Sequence, residues 1–132
     1  MKRDMDLVRD VLLALEDVPA HFGAPVKLTI GQAPLAFADR PDGDVAYHIR
    51  IMTQGEFISM GGISEDGITI ERYHGFRWLG HEFLDDVRDP KAWSAAKDGA
   101  KKVGSGSLGF IWEVAKSLGK YELGKRLGIP LP

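Results

Sequence analysis

The fold is decided by the stretch from Asp42 to Asp89, which reads DGDVAYHIRIMTQGEFISMGGISEDGITIERYHGFRWLGHEFLDDVRD. Its first part predicts an amphipathic helix that Asp44 caps and Gly55 ends, because glycine tolerates the left-handed backbone of a helix C-cap. On a 3.6-residue period the inward positions are Val45, Ile49 and Met52, and the outward positions are Tyr47, Arg50, Ile51 and Gln54. One face of this helix is therefore expected in the core and the other in solvent.

A β-hairpin is expected after this helix. Glu56–Met60 and Ile68–Tyr73 are strand-like, and the loop between them contains three glycines together with Glu65 and Asp66. A second amphipathic helix is predicted over Arg77–Arg88. Its buried side comprises Leu79, Phe83, Leu84 and Val87. Helix, turn, strand, wing, strand and helix in this order indicate a winged helix-turn-helix domain, and the partner of such a domain is DNA.

The residues before this stretch predict a helix and a strand. Asp4 is expected to cap the first helix, and Pro19 is expected to end it. The short β-branched run Val26–Ile30 predicts a strand. A short helix is expected over Ala33–Asp39, after Pro34. These elements would complete the domain on its N-terminal side.

Beyond Asp89 the pattern is helical. Pro90 is favoured at the first position of a helix whose apolar side holds Trp93, Ala96 and Ala100. A break is expected at Gly104-Ser105-Gly106, followed by Ser107 as the cap of the last helix. The apolar positions of that helix are Ile111, Val114, Leu118 and Tyr121. It is expected to fray at Gly124 and Gly128 and to stop at Pro130.

The predicted fold class is α+β, with a winged helix-turn-helix domain over residues 1–89 and a basic C-terminal helical extension over residues 90–132 packed on it as a single structural unit. Residues 1–90 hold 9 Lys and Arg against 16 Asp and Glu, a net charge of −7, whereas residues 91–132 hold 8 against 3, a net charge of +5. Since Lys and Arg supply most of the affinity for phosphate, this division disfavours DNA binding by the first part and leaves the last third as the basic part.

Composition limits the class of protein. The chain has 132 residues, of which 44% are hydrophobic and 27% charged, as expected for one globular domain. It has no cysteine, which excludes thiol catalysis, cysteine–zinc sites and disulfides. No segment approaches the roughly 20 apolar residues that span a bilayer. We therefore expect a cytoplasmic protein that does not associate with a membrane.

Two patterns resemble cofactor-binding or catalytic sites, and each has a simpler structural interpretation. Gly104–Gly109 matches GxGxxG, but a Lys-rich helix precedes it where a dinucleotide site needs a strand. Four acidic residues between Glu82 and Asp89 lie beside His81, on what is predicted to be a solvated helix face. The four histidines have no metal-ligand spacing. We therefore expect no catalytic residue, no metal site and no cofactor, in a protein that is not an enzyme.

The candidate DNA-binding residues lie on the first helix of the deciding stretch and on the hairpin. Arg and Gln side chains read base edges in the major groove, so Arg50 and Gln54 are assigned to bases. Tyr47 and His48 are assigned to phosphate contacts, and Arg72 on the second hairpin strand to positioning of the DNA backbone. The basic residues expected to flank this face are Lys2, Arg3 and Arg77.

Several motifs are shared with other small proteins. They are MKRDMDLVR at residues 1–9, VAYHI at 45–49, GHEFLD at 80–85 with Arg88-Asp89, and LGI at 127–129. Together they resemble a family of small bacterial and phage proteins, the domain-of-unknown-function family 2513. The resemblance implies a phage or prophage context and one small domain, and it brings no activity, substrate or binding residue. Tyr47-His48-Ile49 followed by Gly55 and Phe57-Ile58 is also similar to the recognition helix and first wing strand of winged-helix regulators.

Two functions remain open at this point. The first is a DNA-binding transcriptional regulator that binds double-stranded DNA and forms a homodimer through its C-terminal helices, since Phe110 and Trp112 leave aromatic surface beyond what one core can bury. The alternative is a protein–protein interaction module, such as a phage–host factor, that keeps the winged-helix scaffold without binding DNA. The net charge of −7, the acidic hairpin tip and the outward Ile51 favour this alternative.

Overall fold

The computed structural model of the chain describes residues 1–104 and 107–128. Within them the fold is α+β, with five helices and one three-stranded antiparallel sheet. The helices are α1 (Met5–Leu15), α2 (Asp42–Gln54), α3 (Trp78–Val87), α4 (Pro90–Lys102) and α5 (Leu108–Leu127), and the strands are β1 (Val26–Thr29), β2 (Ile58–Ile63) and β3 (Thr69–Phe76). Contacts divide the chain into two compact units, Met1–Glu82 and Phe83–Pro132, so the boundary lies inside α3.

α1 begins where the sequence predicted and buries its apolar face. Asp4 is the N-cap, and its carboxylate accepts the backbone N–H of Leu7 at 3.2 Å. The buried side chains of α1 are Met5, Leu7, Val8, Val11, Leu12 and Leu15. α1 packs on α2, and the two helices contribute most of the buried aliphatic side chains of the first unit.

The sheet has the strand order β1-β3-β2, and both pairings are antiparallel. β1 and the hairpin are therefore confirmed, but the hairpin strands are longer than predicted. β2 continues through Gly61 and Gly62 to Ile63, and β3 continues to Phe76. Only residues 64–68 form the connecting turn. Strand pairing extends over two of the three glycines, and the guanidinium of Arg72 on β3 lies across the same two, as described below.

The caps of α2 differ from the prediction. The helix begins two residues before Asp44, because the Pro41 carbonyl accepts the N–H groups of Asp44 at 3.0 Å and Val45 at 3.3 Å. Gly55 is the C-cap, but its φ is −82°, and Glu56 takes the left-handed conformation with φ 66°. This reversal lets the N–H of Phe57 reach the Met52 carbonyl at 2.9 Å, as in a Schellman cap.

The prediction of a short helix over residues 33–39 is wrong, because this segment forms turns. The N–H of Gly31 donates to the Leu35 carbonyl at 2.9 Å, and the N–H of Leu35 donates to the Gln32 carbonyl at 2.8 Å. These turns bury the Leu35 side chain completely. The chain therefore forms tight turns that bury Leu35, where the sequence had suggested a helical turn after Pro34.

α3 starts against the end of α2. The N–H of Arg77 donates to the Phe57 carbonyl at 2.8 Å, and Gly80 is packed against the same carbonyl. The predicted helix is confirmed as Trp78–Val87. Leu79 was predicted to be buried but is 37% exposed. The side chains of α3 that are buried as predicted are Phe83, Leu84 and Val87.

The second unit is organised around the ring of Phe83. Trp93 and Trp112 stand edge-on to this ring, at centroid distances of 6.2 Å and 5.4 Å. Ser107 caps α5 as predicted, and Asp89 caps α4 immediately before Pro90. α5 does not fray at Gly124 but continues to Leu127, and Gly128 closes it with a left-handed backbone. The predicted stop at Pro130, and the Ser105-Gly106 part of the predicted break, lie outside the described residues.

Candidate nucleic-acid interface

α2 presents an exposed face that contains the two residues assigned to bases. Arg50 and Gln54 are both exposed and are one helical turn apart, so their side chains leave the helix on the same side. Tyr47 and Ile51 are half-buried beside them. The buried side chains of α2 are Val45, His48, Ile49 and Met52. The predicted division into an inward and an outward face is confirmed, with His48 as the exception.

His48 lies in the core and not at the surface. Its side chain is 2% exposed. Its Nδ1 lies 2.7 Å from the Asp44 carbonyl oxygen, and its Nε2 accepts the backbone N–H of Asp4 at 2.7 Å. The neutral ring must therefore carry its proton on Nδ1. Both nitrogens are used inside the protein, so the assignment of His48 to a phosphate contact does not agree with its position.

Asp4 joins α1, α2 and the segment before α2. Its N–H donates to His48, and its carboxylate accepts hydrogen bonds from Leu7 and from the Arg40 guanidinium. Burial raises the pKa of Asp4, but the hydrogen bonds from Arg40 and Leu7 together lower it by more than burial raises it. The pKa of Asp4 therefore lies below its usual 3.8. The sequence predicted Asp4 as a helix cap, but neither distant partner could be found from local pattern.

The carboxylate of Asp4 can be tested by Asp4→Asn, which keeps a good capping side chain and removes the charge. We expect a loss of about 1 kcal/mol at neutral pH, a value already reduced because this carboxylate is partly exposed. Since the folded-state pKa is lowered, the stabilisation is complete above about pH 3.8 and is lost as pH falls through the folded-state pKa. Urea denaturation of both proteins over this range should show the difference disappearing in acid.

Asp10→Asn is the matched control on the same helix. Burial raises the pKa of Asp10, so its charged form is the less stable one in the folded protein. Stabilisation from a raised pKa is present in acid and is lost as pH rises through the folded-state pKa. Removing the charge of Asp10 should therefore leave stability at neutral pH unchanged or higher. Equal losses in the two variants would show that the Asp4 carboxylate has no special role.

The first three residues run beside α2. The Tyr47 hydroxyl donates to the Met1 carbonyl at 3.3 Å, and His48 holds the N–H of Asp4. We call Met1-Lys2-Arg3 the N-terminal arm. Lys2 and Arg3 are exposed. The arm therefore adds two cationic side chains on the side of α2 where Tyr47 lies, in agreement with the flanking position that the sequence suggested for them.

The hairpin tip is acidic and internally hydrogen-bonded. The Ser64 hydroxyl and the N–H of Ile68 both donate to the Asp66 carboxylate. The hydrogen bond from Ser64 lowers the pKa of Asp66. Glu65 is exposed next to it. The tip is therefore negatively charged at neutral pH and repels a phosphate group.

Arg72 lies on the exposed side of β3, and its guanidinium crosses to β2. A Cβ added to Gly61 would lie 3.1 Å from Nη2, and one added to Gly62 would lie 3.1 Å from Nη1. The two glycines therefore leave room for the arginine, which remains exposed on the hairpin. Arg72 is thus a residue of the sheet, while Tyr47, Arg50 and Gln54 belong to α2.

Three of the four acidic residues near His81 have structural partners. Trp112 Nε1 donates to the Asp86 carboxylate at 2.7 Å, and Asp85 lies 3.6 Å from Arg88. Asp89 accepts the N–H of Lys91 at 3.1 Å as the α4 cap. Across residues 1–104 and 107–128 no three His, Asp or Glu side chains are grouped so that they could hold a metal ion. In the same residues no helix has the length and apolar character needed to cross a bilayer.

Comparison with known proteins identifies the family. The model of the family described as "Hypothetical protein (DUF2513)" matches residues 2–107. An uncharacterized protein of Haemophilus influenzae strain Rd is 30% identical over 122 residues, which cover 89% of this chain and 95% of that protein. No solved structure matches the chain significantly. Because the family model spans most of the sequence, the chain belongs to the DUF2513 family.

Proposed function

We propose that this protein is a DNA-binding regulator with a winged-helix fold, in which α2 is the recognition helix and the β2–β3 hairpin is the wing. The observation that carries the proposal is the exposed Arg50–Gln54 face of α2. This helix leads through a tight cap into the hairpin, which β1 completes to a three-stranded sheet. An exposed helix of this kind fits the major groove of B-form DNA.

Each candidate residue then has a separate task. Arg50 and Gln54 contact base edges, because their donor and acceptor groups match those of guanine and adenine. Tyr47 and the N-terminal arm contact the DNA backbone next to these bases, and Arg72 contacts the DNA backbone from the wing. His48 touches no DNA in this proposal, since it holds Asp4 and so positions the arm. The arm corresponds to the flexible basic segments that supplement many recognition helices.

The charge of the chain limits the number of phosphate contacts. Residues 1–90 have a net charge of −7, and the wing tip carries Glu65 and Asp66. The cationic contacts to phosphate come from Lys2, Arg3 and Arg72 in this proposal, since Arg50 contacts bases. Each neutralised phosphate contributes about −0.9 to the slope of log K against log salt, so three contacts give a slope of roughly −3. Binding should therefore be weaker and less salt-dependent than that of a strongly basic regulator.

Arg50→Ala tests the proposal most specifically. Loss of a base contact should weaken binding to a DNA fragment selected by the unaltered protein by about 1–3 kcal/mol and relax the sequence preference. Fluorescence anisotropy with labelled duplexes measures both effects.

Lys27→Ala is the matched control, because it removes one charge from the exposed side of β1, where Lys27 pairs with Glu71 at 3.9 Å. We expect the control to bind as the unaltered protein does. If the two variants weaken binding equally and preference is unchanged, Arg50 contributes only charge and α2 does not read the sequence.

A second candidate function, binding to a protein, is favoured by α5. This helix has 20 residues, and α4, which packs on it, has only 13. The exposed large apolar side chains of α5 are Phe110, Leu118, Tyr121, Leu123 and Leu127. A second copy of the chain would cover this surface in a dimeric regulator, and a host or phage protein would cover it in an interaction module.

A further inference from the structure

A cavity of about 300 Å³ lies in the first unit and is lined by none of the candidate DNA-binding residues. The connection between α1 and β1, including His21 and Phe22, forms one wall. The end of β3 and the first part of α3 form the other. Its volume is at the lower end of the range of small-molecule sites, which suits a ligand of one or two rings.

A β-bulge brings two polar side chains to this cavity. Met60 pairs with Tyr73 and Ser59 pairs with Gly75, so β3 has one extra residue, His74, at this point. Neighbouring residues of a regular strand point to opposite faces, and a bulge changes that alternation. Tyr73 and His74 therefore both line the same cavity.

The loop that closes the cavity approaches the bulge at backbone level. Gly75 has φ 109°, and a Cβ on it would lie 2.8 Å from the Ala20 carbonyl oxygen. A side chain at this position would push the loop away from β3. The glycine therefore fixes the width of the cavity next to Tyr73 and His74.

Tyr73 and His74 each offer an unused hydrogen-bonding atom. Tyr73 is 1% exposed, and neither its hydroxyl nor His74 Nδ1 has a hydrogen-bond partner among the described residues. Burial raises the pKa of Tyr73, so the phenol stays protonated and remains a donor. Because buried polar atoms nearly always have partners, two unpaired ones on neighbouring residues that line the same cavity point to a ligand that supplies both.

The remaining walls fit a flat, uncharged ring. Phe22 lies against His74, and Phe76 lies against His81, each at a centroid distance of 5.0 Å. Phe22 is 71% exposed at the mouth of the cavity, which leaves its ring face available for stacking. The lining contains Glu16 and three histidines but no Lys or Arg, so an anionic ligand meets no permanent positive charge there.

We propose that this cavity binds a free nucleobase, whose flat ring stacks on the aromatic walls. A ring carbonyl of the base accepts a hydrogen bond from the Tyr73 hydroxyl. The adjacent ring N–H of the base donates a hydrogen bond to His74 Nδ1. Uracil and hypoxanthine carry this carbonyl and N–H side by side. The site uses no residue of the α2 face, so nucleobase binding can be tested independently of DNA binding. It would give the protein a small-molecule ligand in addition to any macromolecular partner.

The test is a titration of the full chain with uracil and hypoxanthine at millimolar concentration, followed by NMR shifts and by thermal unfolding. Benzoate, which is flat but anionic, and a single-stranded oligouridine are the comparison ligands. We expect at least one free base to bind and to raise the unfolding temperature, and benzoate to do neither. Absence of binding by both bases would overturn the proposal, and so would binding of the oligouridine alone.

Tyr73→Phe and Tyr47→Phe form a matched pair of variants. Both keep the ring, but the Tyr47 hydroxyl contacts Met1 outside the cavity. Tyr73→Phe should weaken base binding at least about tenfold, and Tyr47→Phe should leave it unchanged. Without ligand, Tyr73→Phe should unfold at the same or a higher temperature, since it removes an unpaired buried hydroxyl. A clearly lower unfolding temperature, or unaltered base affinity, would show that the hydroxyl has a structural role only.

Discussion

Gly80→Ala is expected to destabilise the first unit by about 3 kcal/mol or more. A Cβ on Gly80 would lie 2.2 Å from the Phe57 carbonyl oxygen and 3.1 Å from its carbonyl carbon. Both are backbone atoms, and the same oxygen accepts the N–H of Arg77. Relief of the clash would therefore move α3 away from the α2–β2 junction.

The expected loss of stability is opposite in sign to the usual effect of a Gly→Ala substitution in a helix. Alanine is favoured over glycine in a helix interior by about 1 kcal/mol, so Gly80→Ala would stabilise the protein if α3 were free of contacts. Gly43→Ala is the matched control, because Gly43 also lies in a helix and has no atom within 4 Å of an added Cβ. Thermal unfolding should show Gly80→Ala lower by about 10 °C and the control unchanged or higher. A stable Gly80→Ala protein would refute the close packing of α3 on Phe57.

His48→Ala is expected to lower the unfolding free energy by about 3 kcal/mol. The ring is almost fully buried, and its removal leaves the Asp4 N–H and the Asp44 carbonyl without their partner. The contact with Asp4 also places the N-terminal arm. DNA affinity should therefore fall as well, even where the variant is fully folded.

His21→Ala is the control for this variant, since His21 lies exposed in the loop after α1. Urea denaturation should show a large loss for His48→Ala and a loss of less than about 0.5 kcal/mol for the control. DNA binding is then measured at a temperature where both proteins are folded. If His48→Ala is as stable as the control, the ring does not join α1 to α2.

Local pattern predicted the elements well where one face of a helix or strand decides its position. Asp4, Asp89 and Ser107 cap helices as their side-chain chemistry required. The end of α2 was placed correctly, but Glu56 and not Gly55 takes the left-handed backbone. The backbone conformation of this cap depends on the hydrogen bond from the N–H of Phe57 to the Met52 carbonyl. That hydrogen bond depends in turn on the positions of β2 and α3. Propensity of single residues does not contain that information.

The candidate site shows the same limit. His48 follows Val45 by three residues and precedes Met52 by four, so its spacing places it on the buried face, whereas its polar side chain suggested the surface. Its partner, Asp4, is 44 residues away in sequence and could not be recognised from pattern. Arg50 and Gln54 were placed correctly on the exposed face because spacing and residue type agree there. The cavity at Tyr73 depends on a bulge and on a loop approach that only the folded chain displays.

Binding of double-stranded DNA by α2 and the N-terminal arm can be measured by titrating the unaltered protein with a pool of genomic DNA fragments. The titration covers a range of salt concentrations, and the retained fragments are sequenced. We predict enrichment of a subset of fragments and a slope of log K against log salt of roughly −3. Failure to retain any fragment at the lowest salt concentration would contradict the claim and would favour a protein partner for this scaffold.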